Sequence, residues 1–540
     1  MKRVKKVEDI LDFTWCLQRI STQTPYGLDY KKAIKPYPRG AEKYLEKALD
    51  QVEAYMNYLS SLESTMRLAD ILHCAKDIRF SIQRSVEENV LSEVELFEIK
   101  AFIFLLDDLK AYLASSHAPY FEETDIQTIP ELTQLLNPEG SSRDTFYIYD
   151  SYSEELARIR DEISTVNRDV RIAIRNYRKK IQDDYQISLN PDQSIIVSKS
   201  NEELKNRVEN CPYLTFASES YSNLVYTLKK EDALYQQEAK IDQLKEAEER
   251  EEFNIRQEIT AKIASYNKEI TTNIHHLANL DLTLAKAKFS LEIKGVKPKI
   301  LQEHRIELCE GRHPKIEHNL QKSNLKFTPI SISVEEGVTC ITGANMGGKT
   351  ISLKLLGLLA YLGQCGILVP AKSMEMGLNE YIFTSIGDEQ STDSGLSTFG
   401  AEIAQVVKAL DKSKDPGLIL IDELARGTNP IEGYAISLSI VHKLQSASAI
   451  TVLTTHFDKV TDLEGVRHLQ VIGLSDFDFD DESKQDVEDK LKILNKYMDY
   501  RLKEVPRSND VPKDAIQIGK IMGLPQDVIE YAEKTLKNGW

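Results

Sequence analysis

Two hydrophobic patterns succeed one another along the chain. Residues 41–63 (AEKYLEKALDQVEAYMNYLSSLE) and 93–115 (EVELFEIKAFIFLLDDLKAYLAS) place apolar side chains at helical spacing with no glycine or proline, which predicts amphipathic helices through the first 150 residues or so. Residues 117–144 (HAPYFEETDIQTIPELTQLLNPEGSSRD) interrupt them with proline and glycine, the composition of a connection with short helices. A charged helical pattern then runs from Ser151 to Gln182, and no glycine or proline occurs from Tyr213 to Lys294. About sixty helical residues of that second stretch would span on the order of 90 Å. Between them, roughly from Tyr185 to Leu228, QISLNPDQSIIVSKS and YLTFASESYSNLVYTL are rich in β-branched and aromatic residues, a strand signal. Beyond Gly337 the pattern becomes short apolar runs, GVTCI, LILI and ITVLTT, alternating with longer helical ones, as in an α/β domain.

The α/β region carries the chemistry. Gly343, four residues, then Gly348, Lys349 and Thr350 form the G-x-x-x-x-G-K-[ST] phosphate loop, in which backbone N–H groups and the following helix N-terminus face an anion and the lysine reaches the outer phosphates. Gly343, Asn345, Met346, Gly347, Gly348, Lys349 and Thr350 are therefore expected to bind nucleotide, with Thr350 also a magnesium ligand. The strand Leu418–Ile421 ends at Asp422 and Glu423; Asp422 is placed to hold magnesium through water and Glu423 to polarise an attacking water. A further strand ends at His456, a candidate γ-phosphate sensor.

TGANMGGKT, TDSGLSTFGAEI, LILIDELARGTNP and TTHF, in this order and spacing, resemble the MutS family, the ABC-type ATPases of DNA mismatch repair and their relatives. GRHPKIE and GLPQDVIEYAEK look like family segments too. The resemblance implies ATP and Mg as cofactors, a homodimer or a heterodimer with a MutS-like paralogue, and Ser397 and Thr398 reaching in trans to the partner's nucleotide. It further implies adenine stacking on Phe327. The fold class expected is multidomain α plus α/β: a helical core (1–150), an outgoing lever helix (151–184), a small clamp tip (185–230), a returning lever helix and core (231–300), an ABC-type P-loop ATPase domain (301–475) and a C-terminal extension with a helical dimerisation segment (476–540). On this reading the chain carries neither the Phe-x-Glu wedge domain of mismatch readers nor the nuclease-like module of the MutS2 branch.

Charge then shapes the expected ligand. The chain carries a net charge of -17, and residues 185–230 balance Lys199, Lys205, Arg207, Lys229 and Lys230 against Asp192, Glu202, Glu203, Glu209 and Glu219. DNA affinity comes mainly from cations that release counterions, so a balanced tip favours a protein client, with Tyr213, Phe216, Tyr221 and Tyr226 as candidate anchors. Departures from the mismatch-repair pattern, ARGTNPIEG with Pro430 and Glu432 in the interface loop and NDVPKDAIQIGKIMGLP near the C-terminus, resemble MutS-related proteins associated with cobalamin-dependent lysine 5,6-aminomutase and ornithine aminomutase. The main expectation is thus reactivation of such an aminomutase by an ATP-driven clamp. The alternative is a DNA-binding homologue acting in repair or recombination on branched or mismatched DNA, and a ribosome-associated clamp of the MutS2 type ranks third. Six scattered cysteines without a C-x-x-C pair argue against zinc and for a reducing compartment. No signal-like or membrane-spanning run is present, so a cytoplasmic protein is expected.

Overall fold

The computed structural model describes residues 6–60, 62–140, 145–229, 232–343, 348–387, 398–425, 428–473, 499–505, 516, 519–520 and 523–537. They divide into two units: Ala75–Lys110 with Ile126–Asn273, and Met1–Cys74 with Ala111–Asp125 and Ile274–Trp540. The expected helical core of residues 1–150 is thus shared between the units instead of forming one domain.

In the first of these units a 32-residue helix, Glu154–Tyr185, runs out and Asp232–Ser265 runs back. The outgoing helix starts where Ser153 accepts the Leu156 N–H at 3.3 Å and Glu154 and Glu155 occupy the positive end of the helix dipole. It stops at Gln186, which takes a left-handed conformation with φ 54°. The return is not continuous: Asp232–Ser265 and Asn267–Glu292 are separate helices. At the junction the Ser265 hydroxyl donates to the Lys262 carbonyl at 2.6 Å and the Tyr266 N–H bonds Ile263, side-chain and tightened backbone bonds that compete with the α ladder.

Residues 194–228 form β1 (Ser194–Ser198), a helix (Glu202–Glu209), β2 (Leu214–Glu219) and β3 (Asn223–Leu228), with sheet order β1-β3-β2, all antiparallel. β3 alternates strictly, burying Leu224, Tyr226 and Leu228. These pack with Val197, Val208 and Leu214, and with Ile181 and Tyr177 of the outgoing helix, in one apolar cluster. The last turns of that helix therefore belong to the small domain, a point the boundary at residue 185 missed. Two of the four candidate anchors are core: Tyr226 is buried with its hydroxyl on Glu209, and Tyr213 sits against Tyr177 and Tyr185 beneath Lys180. Phe216 and Tyr221 are exposed.

The second unit holds two sheets. β4 (Lys299–Leu301), β5 (Arg305–Gly311), β6 (Ile330–Glu335) and β8 (Ser373–Gly377) pair in the order β4-β8-β5-β6. The larger sheet has the order β13-β12-β7-β11-β10-β9, formed by β7 (Gly337–Thr342), β9 (Ile382–Ser385), β10 (Leu418–Ile421), β11 (Ile450–Thr454), β12 (Arg467–Gly473) and β13 (Asp499–Glu504). β12, β7, β11, β10 and β9 are parallel, and β13 closes one edge antiparallel. Every residue of β7, β10 and β11 is buried, as a sheet covered on both faces requires. Leu418, Leu420, Ile450 and Val452 face one cluster with helix Gly348–Gln364, while Ile419, Ile421 and Leu453 face the other with helix Pro430–Leu444. The Gly348–Gln364 helix is followed by Cys365, whose carbonyl receives the buried Lys286 ammonium at 2.7 Å, a cation at the negative end of a helix dipole. Burial holds that lysine down to about 8.

Candidate nucleotide site

β7 delivers the chain to the loop and helix Gly348–Gln364 carries it away. Gly343 has φ +126° and a Cβ there would meet Val471 of β12 at 3.0 Å, so only glycine fits this turn. At Gly348 a Cβ would lie 2.9 Å from the Tyr500 ring of β13; the helix start lies directly against the antiparallel edge strand. Asn345, Met346, Gly347 and Ser397 lie outside the described residues, as does the side chain of Thr398.

Lys349 is 4% exposed. Its ammonium donates to the Gly343 carbonyl at 2.9 Å and to His456 Nδ1 at 3.4 Å. With Nδ1 accepting, His456 Nε2 carries the proton and donates to Glu423 Oε1 at 2.9 Å. Lys349, His456 and Glu423 thus form one relay across the ends of the first helical turn, β11 and β10. Burial lowers the Lys349 pKa, and the Glu423 and Asp422 charges oppose that shift.

Asp422 is gripped from both sides. Thr350 Oγ1 donates to its Oδ2 at 2.7 Å and Thr454 Oγ1 to its Oδ1 at 2.7 Å. Thr454 Oγ1 also accepts the Glu423 N–H at 2.7 Å, so one hydroxyl orients both acids. Glu423 and Ala425 have φ of 54° and 62°, two left-handed non-glycine residues within three positions. Such backbone persists only where surroundings hold it; here the Ala425 N–H is bonded by Glu402 and the Leu424 N–H by the Thr454 carbonyl.

The sequence brought Lys349, Thr350, Asp422, Glu423 and His456 forward, and the structure brings all five together at the C-terminal edge of the parallel strands. Thr454 and Glu402 lie inside the quoted motifs TTHF and TDSGLSTFGAEI but drew no role. Tyr500 had no sequence signal at all, because its proximity to Gly348 follows from β13 pairing with β12. Phe327 is half-buried against the apolar core. Pro430 and Glu432 do not lie in a loop: Pro430 is the first residue of helix Pro430–Leu444, Glu432 is in its first turn, and Asn429 caps it through the Ile431 N–H at 2.9 Å. Proline suits that position because its N–H would be unpaired there anyway.

The family profile described as MutS domain V matches residues 339–538, spanning the phosphate loop, both acids and His456. Endonuclease MutS2 of Pediococcus pentosaceus is 29% identical over 98% of this chain and 64% of that protein. Endonuclease MutS2 of Enterococcus faecalis is 31% identical over 77% of this chain and 50% of that protein, and the putative endonuclease MutS2 of Bacillus subtilis 26% identical over 98% and 65%. The chain belongs to the MutS family. This MutS-family chain spans less than two thirds of the length of the relatives just named. All three bear the MutS2 name, the branch ranked third on sequence, and none is named for an aminomutase. Among the described residues of this MutS-family chain, no helix is long and apolar enough to cross a membrane.

Proposed function

We propose that this chain is a MutS-type ATPase that couples ATP binding and hydrolysis to its action on DNA. The observation that carries the ATPase half is the convergence of Lys349, His456 and Glu423 beside the Thr350–Asp422–Thr454 cluster. The donor set fits magnesium nucleotide: hard oxygens of Thr350 and Asp422 lie side by side as a divalent oxygen-seeking cation requires, and Lys349 is held where phosphate oxygens would replace its Gly343 and His456 acceptors. Bound magnesium would supply charge neutralisation across the phosphates. Glu423 accepts a proton from, or orients, the attacking water, and His456 keeps its carboxylate aligned. Thr454 fixes the two carboxylates relative to each other. A dimer in which Ser397 and Thr398 complete the partner's site, and Phe327 as adenine contact, accompany this reading.

The DNA half is supported by the endonuclease name of the MutS2 relatives. The comparisons lend no support to the aminomutase client that the C-terminal sequence suggested, so the DNA alternative becomes the main reading. The test is steady-state ATP hydrolysis with duplex, mismatched and branched DNA beside an inactivated cobalamin aminomutase. Stimulation by any DNA form and not by the mutase is expected; stimulation by the mutase alone would reverse the choice.

A further inference from the structure

Two side chains of β12 reach the entrance of the nucleotide loop. A Cβ added to Gly343 or to Gly348 would lie 3.0 or 3.1 Å from the Val471 side chain. Three residues before Val471, His468 Nε2 meets Thr342 Oγ1 at 2.7 Å. Thr342 is the last residue of β7 and directly precedes Gly343; it opens the motif TGANMGGKT but drew no role from the sequence. The bond forms whichever ring nitrogen carries the proton, because a hydroxyl both donates and accepts.

An imidazole is a poor choice here for the sheet alone. His468 is 3% exposed, and the residues that continue its row across β7 and β11 are Cys340 and Leu453. Among the described residues its Nδ1 has no hydrogen-bond partner. A buried polar atom left unpaired is destabilising, so an apolar β-branched residue would serve packing better, and what the ring adds is its bond to the strand that feeds the loop. Burial pulls its pKa below the ordinary 6.5, with Asp462 opposing, which keeps the ring neutral at neutral pH. The strand that carries it is itself fixed. The Val505 N–H donates to the His468 carbonyl at 3.1 Å, and the neighbouring Arg467 pairs with Glu504 at 2.9 Å and donates to the Ser333 carbonyl of β6 at 2.8 Å.

We propose that His468 is a positioning residue of the nucleotide site: through Thr342 it holds the end of β7 so that Gly343 keeps its positive φ and presents its carbonyl to Lys349. The proposal rests on the ATP reading above. Lys349 donates to that carbonyl at 2.9 Å and leads on to His456 and Glu423, so a bond one residue upstream of Gly343 sets the start of the relay. β7 lies between β11, which carries the chain to His456, and β12, and His468 secures it from the second side. Without the bond the loop entrance takes other conformations, and apparent affinity is reduced by the fraction of molecules left in the binding form. ATP and ADP are affected alike, since both place phosphates in the loop. Once nucleotide is bound, the acids and His456 are unchanged and turnover is kept.

The test is equilibrium binding of fluorescent ATP and ADP analogues with magnesium, beside steady-state ATP hydrolysis, on the full chain. Thr342→Val and His468→Leu should each weaken both nucleotides about tenfold, the scale of one hydrogen bond, and the double variant should bind no more weakly than either. Turnover at saturating ATP should stay within about twofold of wild type, a KM effect without a kcat effect. His468→Gln, whose amide still reaches Thr342, should recover affinity to within about threefold of wild type. Thr451→Val deletes a buried β11 hydroxyl that has no hydrogen-bond partner among the described residues, and it should change neither binding nor turnover. Should His468→Leu not fold, Thr342→Val, the closest to the original in shape, carries the test. Unchanged affinity in Thr342→Val, additive losses in the double variant, no recovery in His468→Gln, or an equal loss in Thr451→Val overturns the proposal and leaves the ATP reading standing. If the wild-type chain binds no nucleotide, the ATP reading falls and this proposal with it.

Discussion

Lys349 and the row Arg171, Arg175 and Lys179 on the outgoing helix both present positive charge, and they are built in opposite ways. Lys349 is buried, with each of its contacts to Gly343 and His456 made to a particular atom, so it is preorganised in a low-dielectric site where charge acts strongly. The helix row is exposed, has no carboxylate partner among the described residues and repeats at one-turn intervals, so each charge is left to water, salt and the repulsion of the next. The first suits a ligand of fixed shape; the second is screened by solvent. Arg160 stands between them, 28% exposed and bound to three carboxylates and the Ile148 carbonyl. Comparing the three teaches that the partner, and not the residue type, decides what a cation does here.

The largest effect lies at the preorganised end. Glu423→Gln keeps the shape that meets His456 Nε2 but removes the base, so turnover should fall about 10²- to 10⁴-fold with nucleotide affinity retained. Single-turnover hydrolysis and equilibrium nucleotide binding measure the two separately. Turnover within tenfold of wild type would remove Glu423 from the chemistry and with it the contrast drawn for Lys349.

Arg160 probes the middle of the range. Arg160→Met keeps the apolar stem but strands Asp150, Glu248 and Glu252 without their cation, and hydrogen bonds to charged groups contribute about 1.5–3 kcal/mol. Native-state hydrogen exchange over amides 154–166 should lose protection corresponding to about 2 kcal/mol. Arg171→Gln in the same assay should stay within about 0.5 kcal/mol of wild type. Equal losses from both would erase the distinction between paired and unpaired halves of this helix.

The nucleotide site was legible because its chemistry depends on local spacing: a glycine separated by four residues from Gly348-Lys349-Thr350, and two acids at the end of an apolar strand, survive without knowledge of the fold. The long helices were legible from periodicity, yet the break at Tyr266 was not, since Ser265, Tyr266 and Asn267 interrupt a helix only weakly by propensity. The charge of the small domain was misjudged for a tertiary reason, since residues 168–184 add six bases against Asp169, Asp183 and Asp184. Whether Arg171 belongs with residues 185–230 depends on Tyr177 and Ile181 packing against Val197 and Tyr226, which no window of sequence reveals. Tyr500 beside Gly348 and the helical start at Pro430 are of the same kind, set by strand pairing and by the Asn429 cap.

The last effect concerns a potential cation that the fold keeps neutral, and it emerges only below about pH 6.5. His313 is wholly buried and its Nδ1 accepts the Ile316 N–H at 3.5 Å. Among the described residues its Nε2 has no hydrogen-bond partner, and it stands 3.7 Å from Asp12, which also holds Lys315 and lies near Lys354. Burial lowers its pKa from the ordinary 6.5 to about 4; Asp12 opposes that shift and the two lysines assist it. The unfolded chain therefore takes up a proton between about pH 6.5 and 4 that the folded chain does not. Above 6.5 neither state binds it and His313 leaves stability independent of pH, while below 6.5 stability falls as pH falls, by up to about 1.4 kcal/mol per unit, until the folded pKa is reached. His313→Asn keeps an acceptor for Ile316 and removes the titration. Urea unfolding across this window should show a shallower pH dependence in the variant than in wild type. Parallel curves would mean that His313 is charged in the folded state, and that this buried site, like the exposed row, carries its cation without neutralising it.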